Sequence, residues 1–134
     1  MTDFVRRRLS QGDLDLFIVA HQRFVEGRAG GRRLSLKFVD LMGLNLSGRI
    51  LDDADLSGSS LENASLVGTS LGRALLFGCD LRGADMTGAR MKRADIRGVS
   101  LRGANLTQAD LTQADFREGV TAFLQKRAPV WAGV

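Results

Sequence analysis

One histidine, His21, and one cysteine, Cys79, are the only residues of their types in the 134-residue chain. One of each does not make a standard zinc site. His21 falls on the apolar face of a predicted helix, where a packed or hydrogen-bonded imidazole is the expectation. Cys79 stands where alanine recurs along the chain, so packing outweighs reactivity. A lone Cys excludes an internal disulfide and points to a cytoplasmic setting. Aspartates recur at multiples of five, as at Asp80, Asp85, Asp95, Asp110 and Asp115. Paired carboxylates can do acid–base work, yet nothing in this spacing singles out one couple. Gly27-Arg28-Ala29-Gly30-Gly31 fits neither a phosphate loop nor a dinucleotide fingerprint. The Asn-x-Ser/Thr triplets at Asn45, Asn63 and Asn105 are by-products of the same spacing. The expectation is a chain that is not an enzyme, with no catalytic residue, cofactor or metal.

Surface chemistry is a better prospect than catalysis. Arg90, Lys92, Arg93, Arg97 and Arg102 cluster in sequence, and Arg73 and Arg82 precede Arg93 and Arg102 by twenty residues each. No aromatic residues interleave with them as a single-strand-binding surface requires. Net charge is +4. Residues 1–33 hold seven basic and four acidic side chains, 34–116 nine and ten, and 117–134 three and one. The central segment is therefore near neutral.

The element that positions these groups is a ladder of apolar residues five apart. It runs Leu36, Leu41, Leu46, Leu51, Leu56, Leu61, Leu66, Leu71, Leu76, Leu81, Met86, Met91, Ile96, Leu101, Leu106, Leu111, Phe116. Five residues advance an α-helix by about 500°, which would scatter the ladder around the axis. On a straight strand, residues five apart alternate between faces. All seventeen face inward only if the chain turns once per pentad, which makes a solenoid. Two residues before the ladder lies a small residue, such as Ala54, Ala74, Ala94 or Cys79. One before it lies Asp, Asn or Ser, able to bond backbone at a bend. Two after it Gly recurs, as at Gly58 and Gly98, suited to a turn position with positive φ.

The motif Ala84-Asp85-Met86-Thr87-Gly88, echoed by Ala104-Asn105-Leu106, resembles the pentapeptide-repeat family. The resemblance covers residues 34 to about 118. It implies an all-β solenoid, a right-handed quadrilateral β-helix of about four coils. Some members resemble duplex DNA, bind DNA gyrase and protect it from quinolones. That role needs a strongly acidic rod, so gyrase is a disfavoured partner here.

The open ends of a solenoid must be covered. Residues 1–33 form the expected N-terminal cap, with a helix over about 12–26. Leu14, Phe17, Ile18, His21, Phe24 and Val25 share one face of it, Ser10 and Asp13 suggest a capping box, and Gly27 ends it. Its apolar face should lie on the first coil, where Leu34, Val39 and Leu44 replace the small residues. The β-helix occupies 34–118. Residues 119–134 form a C-terminal cap or dimerisation tail with a short helical segment at 120–128, in which Phe123, Leu124, Val130 and Trp131 cover the last coil or meet a second copy. Dimerisation is suggested by the family resemblance alone. No 18-residue apolar run is present, so no transmembrane helix is expected.

Three positions break the repeat. Arg49 occupies a small inward slot and should bend outward at a distorted corner. Leu75 and Phe77 flank Leu76 where solvent-facing residues belong, and an exposed apolar pair can mark a contact. The expected function is a non-catalytic structural or protein-interaction module, with an unidentified protein read by Leu75, Phe77 and the nearby basic residues. Nucleic acid or a membrane surface, bound through the basic coil, is a weaker alternative.

Overall fold

A computed structural model describes residues 5–117 together with the backbone of 130–131. Thirteen parallel backbone bridges join residues twenty apart. They stack in four columns: Ser35–Asp55–Leu75–Asp95–Asp115, Asp40–Ser60–Asp80–Ser100, Asn45–Ser65–Asp85–Asn105 and Ile50–Ser70–Arg90–Asp110. Each rung carries two hydrogen bonds, as where Leu36 N–H donates to Asp55 O at 2.8 Å and Asp55 N–H to Leu34 O at 3.0 Å. A turn bond closes each corner from Leu41 to Leu111, for example Ala54 N–H to Leu51 O at 3.0 Å, whereas at the first corner Val39 N–H donates to Ser59 Oγ at 3.0 Å. The chain thus returns over itself every four pentads.

The ladder residues from Leu36 to Leu111 are buried, and Phe116 partly so. Fully burying a leucine is worth about 1.5–3 kcal/mol, so stacking supplies the core that no pentad has alone. The small residues fill the remaining interior. Where they are polar, each reaches a carbonyl of the coil beneath: Ser59 Oγ to Leu36 O, Thr69 Oγ1 to Leu46 O and Cys79 Sγ to Leu56 O. Burial pushes the Cys79 thiol up to about 12. The aspartates are backbone-bonding turn residues: Asp55, Asp85 and Asp110 each accept from the N–H two residues on.

Positive φ recurs at the third turn position, but glycine does not always occupy it. Phe38, Asp53, Asn63, Arg73, Arg93, Gln108 and Gln113 adopt it too. For a bulky side chain such as Phe38 (φ 57°) this is an uncommon conformation.

Strand β1 (Arg7–Arg8) pairs in parallel with β2 (Val39–Asp40) and covers one edge of the first coil. Helix α1 (Gln11–Val25) follows, and Ser10 caps it by accepting from Asp13 N–H at 3.1 Å. Only Leu14, Ile18 and His21 of its apolar face are buried; Phe17, Phe24 and Val25 remain about two-fifths exposed. The buried stripe is narrower than the sequence suggests because one edge of the helix meets the coil. His21 bonds at both ring nitrogens: Nδ1 accepts from Leu34 N–H at 2.8 Å and Nε2 lies 2.7 Å from Asp52 O. Burial lowers its pKa below the ordinary value. Arg49 occupies a regular corner, not a distorted one. Its backbone keeps the bonds to Leu46 and Ser70, and its side chain reaches Asp15 of α1 at 3.4 Å.

At the other end, β3 (Asn105–Leu106) pairs in parallel with β4 (Val130–Trp131). The segment 120–128, with Phe123 and Leu124, lies outside the described residues.

Candidate interaction surface

Phe77 projects beside the Leu75 column with 46% exposure. Leu75 itself does not form an exposed pair with it: it is half-buried, because its backbone belongs to the ladder between Asp55 and Asp95. The exposed companion of Phe77 is Phe38, two layers away. Between them lies Gly58, where a Cβ would overlap the Phe38 ring. Arg6 Nε donates to Gly58 O at 2.8 Å. Phe38, Gly58, Phe77, Gly78 and Arg6 surround an open, mostly apolar hollow of about 370 Å³.

Arg97 closes the far side of Phe77, its guanidinium 5.2 Å from the ring centroid. Two hydrogen bonds at 2.8 Å tie it to Asp95 and hold that carboxyl below the usual range. The repeat pattern singled out Phe77 but not Phe38 or Arg6. Phe38 had a signal, since it stands at a position where glycine recurs and precedes Gly58 by one coil. Arg6 had none, because β1 lies outside the repeat.

The basic residues separate among columns. Arg73, Arg90, Lys92 and Arg93 line a hollow of about 420 Å³, with Asp52 and Asp110 also at its wall. Arg82 and Arg102 line another of about 370 Å³. Arg82 is paired with Asp80 at 2.7 Å and Glu62 at 3.4 Å. Arg73 makes two 3.0 Å bonds to Asp53, which keep that carboxyl low and raise the guanidinium. Arg93 Nε donates to Gln113 Oε1 at 2.8 Å. Of the C-terminal set, Val130 and Trp131 are placed by their backbone pairing on β3.

Among the described residues, no group of three or more His, Cys, Asp or Glu side chains is placed to hold a metal ion. No described helix is long and apolar enough to cross a membrane.

Pentapeptide repeats match the sequence in eight copies over residues 40–76 and 74–113. Proteins of that kind form right-handed quadrilateral β-helices. A pentapeptide repeat protein from the cyanobacterium Cyanothece 51142 is similar in structure, with a TM-score of 0.62 and 30% identity over 75% of this chain and 62% of the other. A pentapeptide repeat protein of the Arabidopsis thaliana thylakoid lumen gives 0.58 and 32%, over 64% and 59%. This chain therefore spans less than two thirds of either relative. QnrB1, a plasmid-mediated fluoroquinolone resistance protein, matches at 18% identity and a TM-score of 0.41, too slight a likeness to bear on function. No curated protein sequence matches the chain.

Proposed function

This chain belongs to the pentapeptide-repeat family, and we propose that it works as a non-catalytic protein-interaction module. We read it as a right-handed, four-sided rod of about four coils over residues 34–118, with 1–33 as its N-terminal cap and 119–134 as a C-terminal cap or dimerisation tail. A rod of stacked repeats holds side chains on a fixed lattice, which suits docking.

The observation that carries this reading is the placement of Phe38 and Phe77 on either side of Gly58. Phe38 is held in a backbone conformation costing on the order of 1–3 kcal/mol, and its ring remains 56% exposed. An apolar side chain of a protein partner would fit between the two rings. The nearby Arg97 is already neutralised by Asp95, so docking should depend weakly on salt. Phosphate contacts would give a steep dependence instead. A duplex-mimic role finds no support in the charge, because residues 34–116 sum to −1.

The test is affinity capture from the native cell with the wild type and a Phe38→Asn/Phe77→Ser variant. Asn tolerates positive φ, and neither position belongs to the buried ladder, so the variant should keep its melting temperature. Partners held by the wild type at high salt and lost from the variant support the proposal. Identical capture by a folded variant overturns it.

A further inference from the structure

We propose that the hollow beside Gly72 binds a phosphate-class dianion, independently of the Phe38–Phe77 surface. The site lies on the Ile50–Ser70–Arg90–Asp110 column, whereas Phe77 adjoins the Leu75 column.

Along this corner the residues one step past the ladder are Asp52, Gly72, Lys92 and Thr112. Gly72 alone lacks a side chain. Its backbone is not in the positive-φ region, unlike the repeat glycines, so the turn does not demand glycine there. A Cβ at Gly72 would stand 3.0 Å from Asp52 Oδ2 and 3.8 Å from Lys92 O. The Asp52 carboxylate already flanks the place of the missing side chain, and the hollow opens beside it between Ser70, Arg90 and Lys92.

Four cations line the hollow with Asp52 and Asp110, and Asp53 neutralises Arg73, which leaves an excess of one positive charge carried by Arg90, Lys92 and Arg93. The four come from two stacked layers, Arg73 from one and Arg90, Lys92 and Arg93 from the next. The carboxylates are partly occupied: Asp52 accepts from Ser70 Oγ, and Asp110 Oδ1 from both Thr112 N–H and Thr112 Oγ1. Arg73 is braced by Asp53, and Arg93 by Gln113 through Nε; among the described residues the Nη groups of Arg93 make no hydrogen bond. Lys92 acts electrostatically on Asp110, and Arg90 lines the hollow from the same layer.

Donors arriving from two layers suit a tetrahedral oxyanion, which accepts from several directions. A planar carboxylate is satisfied by one in-plane fork. A phosphate monoester carries about −1.5 to −2 charges at neutral pH, enough to engage Arg90, Lys92 and Arg93 together.

The experiment titrates the full chain at constant ionic strength with inorganic phosphate, glycerol phosphate and chloride, read by amide NMR shifts and calorimetry. Saturable binding of phosphate but not chloride is expected, with shifts centred on residues 70–73 and 90–93. Tighter binding of glycerol phosphate would identify an ester as the ligand, and equal or tighter binding of inorganic phosphate the free ion. The Arg90→Gln/Lys92→Gln variant should bind at least about tenfold more weakly, as loss of charge-assisted hydrogen bonds implies. Gly72→Leu should abolish binding by placing a side chain in the hollow against Asp52; a melt checks its folding, and the exposed double variant decides the matter if Gly72→Leu is unstable. Shifts shared with chloride, or undiminished binding by the double variant, overturn the proposal.

Discussion

Replacing His21 with Ala should destabilise the protein and remove a pH dependence. In the native state the ring is fully buried and bridges α1 to the first coil. Its Nδ1 must be unprotonated to accept from Leu34 N–H, so Nε2 carries the proton donated to Asp52 O. Alanine leaves the Leu34 N–H buried without its acceptor, at about 1–3 kcal/mol, and leaves a void where the ring stood. Together these predict a loss of about 2–5 kcal/mol.

The sign of the pH effect follows from the lowered pKa. Burial is the main cause; Asp52 and Asp53 oppose it and Arg33 adds to it. The unfolded chain takes up a proton near the ordinary value of 6.5 while the native ring does not. Stability is therefore complete above that value and falls as pH drops below it, by at most about 1.4 kcal/mol per pH unit. His21 is the only histidine, and carboxylates contribute mainly below about pH 5. Urea melts followed by circular dichroism at intervals from pH 7.5 to 5 would show the wild type weakening while His21→Ala stays flat. A variant of unchanged stability, or one with the same pH slope as wild type, would refute the two-sided bridge.

Cys79 should resist thiol reagents until the protein unfolds, since it is 1% exposed and its pKa is pushed up to about 12; labelling rates in native buffer and in urea check this. Leu71→Ala should cost about 2–5 kcal/mol, because Leu71 is fully buried within the ladder. The exposed Val67→Ala should change the urea midpoint little, as surface substitutions usually do.

Much of the interior was legible in the chain. The period of five identified which side chain of each pentad points inward, because no helix or flat strand can bury them all. The roles of Asp55, Asp85 and Asp110 followed from their place before the buried residue. Cys79 could be assigned to packing for the same reason. Ser10 and Gly27 marked the helix ends through local capping chemistry, which needs no distant partner.

The surface was less legible. Leu75 looked exposed because residues beside the ladder usually are, yet stacking half-buries it. Nothing in the sequence sets Phe38 near Phe77, or Gly72 among the cations. In each case the deciding fact is which pentads lie above one another. A period of five is the same for a coil of three, four or five sides, so it determines what points inward but not what stacks outward. The inward order is local, dictated by burial once per turn. The outward order needs the twenty-residue return of the ladder, which the hydrogen bonds between layers set. Only that return brings Phe38 and Phe77 to either side of Gly58, Arg73 against Arg90 and Lys92, and His21 between Leu34 and Asp52.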